Sequence, residues 1–120
     1  MAPIAQPGKI IVTDQNGNRI LELTDAAAVE RLTAFLNDQR RHKPWRTHDP
    51  EPIADVVYHL CRSARVESTF GTQTRLFIAD GHDTPAQPDD VDKLLALAGL
   101  DRTLFTRVPL QQSHTTVTCR

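Results

Sequence analysis

The chain has 120 residues, 39% of them apolar and 24% charged, with a formal net charge of −1. That is one domain's worth of sequence, enough to bury a core without metal or disulfide staples. The near-neutral balance gives no electrostatic pull toward nucleic acid or an anionic membrane, and no apolar run reaches the roughly 18 residues of a membrane span.

Residues 1–8 hold two prolines and a glycine and read as an N-terminal tail. No cationic stretch precedes an apolar one there, so no export signal is visible. The default compartment is therefore the cytoplasm, or the periplasm if an export signal has been trimmed away. Residues 9–14 (KIIVTD) are β-rich, Asn16-Gly17 is a two-residue hairpin signal, and 19–23 (RILEL) return as the second strand. From 25 to 41, Val29, Leu32, Phe35 and Leu36 recur at helical spacing. Thr24 is the expected N-cap. Asp25 and Glu30 suit the positive end of the helix dipole, and Arg40, Arg41 and Lys43 suit the negative end. Pro44 forbids continuation.

Residues 52–62 carry apolar groups on both faces, which marks an interior strand. Residues 65–70 alternate up to a break at Gly71, and 72–79 form another strand. Residues 80–88 (DGHDTPAQP) read as a loop. A short helix of about 90–98 follows, capped by Asp89 or Asp90 and stopped by Gly99. Residues 103–110 suggest a strand that Pro109 demotes to an edge. The pattern predicts an α+β fold: a mainly antiparallel sheet of about five to six strands, with the 25–41 helix packed on a face and the 90–98 helix beside it. One domain, 9–110, lies between tails 1–8 and 111–120, the second of which could end as a strand.

Chemistry is sparse. The five histidines show no zinc-protease spacing, and there is no paired CxxC. Asp80, His82 and Asp83 follow a strand and could form a metal-dependent or hydrolytic site, with His82 as ligand or base; a polar turn is the simpler reading. His59 and Cys61 share a strand face but sit roughly 6–7 Å apart, and an apolar strand raises a thiol pKa. No serine elbow or phosphate-cradling loop is present. No cofactor is expected. Cys61 and Cys119 are the candidate disulfide, worth about 4 kcal/mol on a chain-entropy argument; the alternative is two buried thiols.

Residues 40–52 (RRHKPWRTHDPEP) contain the sole tryptophan. Arg40, Arg41, Lys43 and Arg46 form a basic cluster. Asp80, Asp83, Asp89, Asp90 and Asp92 form an acidic one. Opposed charges of this kind suit steering toward a protein partner, although each cluster also complements a helix end. The expected partner contacts are Arg41, Lys43, Trp45, Arg46 and His48 in the 40–51 loop, with His82, Asp83, Asp89 and Asp90 in the 80–92 loop. Trp45 serves either as an interface anchor or as a lid over Phe35 or Leu36. One short basic cluster is a poor nucleic-acid footprint. A structural homodimer through 103–110 is a further option.

The stretch KIIVTDQNGNRILELTDAAAVERLTAFL, about a quarter of the chain, resembles the opening of small bacterial α+β proteins that include immunity and inhibitor proteins. There too a hairpin runs through a TD cap into a helix. The resemblance implies a non-enzymatic protein that neutralises a secreted toxin or enzyme by binding it, and it assigns no individual site residue.

Overall fold

A computed structural model describes residues 3–47, 49–50, 52–106 and 115–119. In chain order these form β1 (Lys9–Asp14), β2 (Arg19–Leu23), α1 (Ala26–His42), β3 (Arg46–Thr47), β4 (Val56–Arg62), β5 (Arg65–Thr72), β6 (Leu76–Ala79), β7 (His82–Pro85), α2 (Pro88–Leu97) and a 3-10 turn, Arg102–Thr106. The seven strands make one sheet in the order β2-β1-β4-β5-β6-β7-β3. Every neighbouring pair is antiparallel. The fold is α+β, as the sequence pattern predicts, with one or two more strands than expected.

Alternation decides what each face does. Ile10, Val12, Val56, Tyr58, Leu60, Phe70, Phe77 and Ala79 point to one side and pack under the helices. Helix α1 covers them with Val29, Leu32, Phe35 and Leu36, and α2 adds Val91, Leu94 and Leu95. Phe35, Phe77, Phe70 and Trp45 form a chain of ring contacts with centroids 5.4–6.3 Å apart. Burial pushes the Tyr58 hydroxyl pKa well above its usual value.

Helix α1 leaves β2 at one sheet edge and delivers the chain to β3 at the other. Its 17 residues span roughly 25 Å, against roughly 29 Å for six interstrand spacings. One helix of this length can therefore cross the whole sheet. Asp25, not Thr24, is the N-cap: its carboxylate accepts from the Ala28 N–H at 3.0 Å. The helix starts one residue later than expected, and Asp25 spends its charge on the cap.

Other boundaries differ for local reasons. In the first hairpin, Asp14 N–H donates to Asn18 O, so three residues turn the chain rather than two. Only Gly17 among them has a positive φ, 85°, and the Asp14 carboxylate gathers the Asn16 and Asn18 N–H groups. Strand β5 runs through Gly71 instead of breaking there, because Ala54 fills the missing side chain's place. The strand expected from 52 begins at Val56, and the one expected from 72 begins at Leu76.

The expected 80–88 loop contains β7. Asp80 and Gly81, with φ of 47° and 83°, form a two-residue turn that pairs Ala79 with His82. Helix α2 begins at Pro88, which suits a first helical position; Gln87 is its N-cap, and Asp89 and Asp90 lie in its first turn rather than capping it. The strand expected over 103–110 is a 3-10 turn as far as Thr106, and 107–110 lie outside the described residues. No described helix is long and apolar enough to cross a membrane.

Candidate functional site

The two charged segments expected to meet a partner meet each other. Arg40 pairs with Asp80 at 3.4 Å, Lys43 with Asp90 at 3.0 Å and Arg46 with Asp83 at 3.0 Å. The topology brings this about: α1 ends beside β3, and β3 pairs with β7, which leads into α2. Asp83 has no exposed surface, so it is not a contact residue on a free face. Trp45 is half-buried: its ring packs on Phe70 and its indole N–H donates to Gln39 O at 3.0 Å. It closes the end of the core. Arg41 and Asp89 are exposed and His82 half-buried, while His48 lies outside the described residues.

The Asp80–His82 pair is a turn. His82 Nδ1 donates to the Asp80 carbonyl at 3.1 Å, and the Asp80 carboxylate accepts from the Thr69 N–H and from Arg40. Among the described residues, no three His, Cys, Asp or Glu side chains are gathered to hold a metal.

The second face of the sheet presents a different arrangement. One register row crosses all seven strands there: Arg19, Thr13, Val57, Gly71, Ile78, Asp83 and Arg46. No helix covers it. Residues 52–55 cross it near Gly71, where a Cβ would lie 2.4 Å from that of Ala54. Ile53, 68% exposed, projects from this crossing segment.

The C-terminal segment 115–119 crosses the same face farther along. Cys119 is joined to Cys61 of β4 in a disulfide. Thr115 N–H donates to Asn16 O at 2.7 Å. A Cβ on Gly17 would lie 2.0 Å from Thr115 O, so glycine is required here by both contact and backbone conformation. The segment itself is not a strand.

Between this segment and the sheet lies an open recess of about 380 Å³. Val57, His59 and Val66 form its floor. Thr115, Thr116 and Val117 wall one side, and the first hairpin closes one end. Thr13 Oγ1 donates its single proton to Asp14 O at 2.9 Å. Its oxygen also lies 2.8 Å from His59 Nε2, within hydrogen-bond reach. Burial pushes the His59 pKa below its ordinary value, so the ring is neutral at pH 7.

Comparison of the chain with models of protein families, with curated proteins and with solved structures finds no match to any of them. The functional reading therefore rests on geometry.

Sequence reasoning missed the recess because its lining comes from residues 13–17, 57–66 and 115–117, which only the sheet order brings together. The β6–β7 hairpin was within reach: Asp80-Gly81 between β-rich runs carries the same signal as Asn16-Gly17.

Proposed function

We propose that this chain is a small non-enzymatic protein-binding domain of the inhibitor or immunity type, and that its partner is a secreted toxin or enzyme. The supporting observation is the recess on the sheet face opposite α1 and α2, walled by a segment that a disulfide pins in place. A wall tied at both ends is preorganised, so binding orders little chain and costs little entropy. The recess is open and mixed in polarity, with valines beside a histidine ring and threonine hydroxyls. That suits an inserted loop of a macromolecule better than a small ligand, whose sites enclose most of its surface.

The disulfide also bears on compartment. Such bonds persist in oxidising surroundings, which favours the periplasm or the cell exterior over the cytoplasm. The partner contacts proposed here shift from the 40–51 and 80–92 segments, whose charges largely neutralise one another, to Val57, His59, Val66 and Thr115–Val117.

The test is capture from the envelope and secreted fractions of the source cells on immobilised protein. One protein retained stoichiometrically, lost with Val57→Arg and kept with Arg41→Glu or Asp89→Lys, supports the reading. Retention lost only with the Arg41 or Asp89 change returns the site to the charged segments. Retention of nothing counts against a binding role.

A further inference from the structure

Residues 115–119 belong to no hydrogen-bonded strand, yet they build one wall of the recess. Cys61 lies opposite Lys9 at the start of β1, while Thr115 bonds to Asn16 beyond its end. Six residues of β1 cover roughly 17 Å, and four Cα steps reach roughly 14 Å at most. The segment bridges that span only when nearly fully extended, with the disulfide supplying the rest. Its other described ties are the Thr115–Asn16 bond, a 2.7 Å bond from Arg19 Nη2 to Thr118 O, and Val117 packed beside Ile11.

We propose that the Cys61–Cys119 bond is a latch: closed, it holds Thr115–Val117 as the recess wall; reduced, it frees the segment while the sheet and helices stay folded. The asymmetry lies in what each cysteine is attached to. Cys61 is fixed in β4, paired with Lys9 on one side and Val66 on the other. Cys119 lies outside any strand, and among the described residues the bond and its packing beside Ile11 and Val117 hold it. Among the described residues, two hydrogen bonds, one partly buried valine and the small Cys119 side chain do not offset the entropy of ordering five residues of chain. The sulfurs are buried, with Cys61 1% and Cys119 3% exposed. A segment outside the ladder frays locally, however, and this admits a reductant without unfolding the sheet.

The opening is ordinary thiol–disulfide exchange with a dithiol. One thiolate attacks a latch sulfur, and the second displaces the mixed disulfide. Cys61 and Cys119 end as thiols, and the reductant leaves as its own disulfide. That partner binding follows the latch rests on the proposed function; the opening itself does not.

The experiment compares oxidised protein, dithiothreitol-reduced protein and Cys119→Ser, all without a partner. NMR follows Thr115 amide exchange and the His59 titration, and Trp45 emission reports the opposite face. In both open forms, Thr115 exchange should rise at least ten-fold and the His59 pKa should move up toward 6.5, with Trp45 and the amides of β1, β4 and β5 unchanged. Retained Thr115 protection after full reduction overturns the latch. So does joint loss of sheet protection and Trp45 packing, which would make the bond a staple for the whole fold. Failure to capture a partner overturns only the binding role.

Discussion

Arg46 Nε lies 3.0 Å from Oδ1 of Asp83, and the carboxylate is wholly buried while the arginine side chain is 66% exposed. This pair joins the two-residue edge strand β3 to β7. The second carboxylate oxygen, Oδ2, is buried with no hydrogen-bond partner. Arg46 is thus the one cation described as compensating a charge that water does not reach. Arg46→Ala should destabilise by about 1–3 kcal/mol, the cost of stranding a buried polar group rather than the small value of a surface ion pair. Urea unfolding of Arg46→Ala, Asp83→Asn and the double variant checks this. The double variant should be more stable than Arg46→Ala alone, because the stranded charge is gone.

Gly71 sits in mid-strand, where an added Cβ would lie 2.4 Å from the Ala54 Cβ. Gly71→Ala should cost about 1–3 kcal/mol by overpacking. Ala54→Gly in the same chain should recover part of that loss. A thermal-shift comparison of the two single variants and the double variant tests the pairing, and additive effects would contradict it.

Gly17 faces two constraints that can be separated. Its φ of 85° disfavours a side chain by about 1–2 kcal/mol, and Thr115 O occupies the Cβ position. Gly17→Ala in the oxidised protein should lose both terms. In a Cys119→Ser background only the backbone term should remain, since the released segment no longer obstructs it. Urea midpoints across this cycle should therefore be non-additive.

Burial holds the His59 pKa below its ordinary value of 6.5. The unfolded chain consequently takes up a proton at a higher pH than the folded one. Stability should be undiminished above pH 6.5, fall as the pH drops from there toward the folded-state pKa, and level off below it. His59→Gln should remove this component. Unfolding free energies measured from pH 7.5 to 4.5 check the sign, and a wild-type curve as flat as that of His59→Gln across this range would contradict it.

Much of the fold could be read from local pattern. The period of 3.6 in Val29, Leu32 and Leu36 and the two-faced apolarity of residues 52–62 needed no tertiary information. Residues 103–106 misled because Thr and Phe prefer strands in general, whereas here they follow Gly99 and form a 3-10 turn whose Leu104 and Phe105 pack against the core. Strand β3 was missed because two residues are too few to show a period. The recess is the furthest from local reach: its residue types are ordinary valines and threonines.

Segment 40–52 shows where the division falls. Its local content is determined by the sequence alone: cations at a helix end, Pro44 as the stop, and one large aromatic after it. Sequence also supplied both charged clusters and both cysteines. Only the tertiary structure decided that the clusters neutralise each other, that Trp45 turns inward onto Phe70, and that Cys61 finds Cys119. The physical reason is range. Caps, turns and amphipathic periods are set by neighbours within a few residues. Pairing β1 with β4 and β3 with β7 depends on α1 crossing the sheet, and that crossing puts residues far apart in sequence on one face.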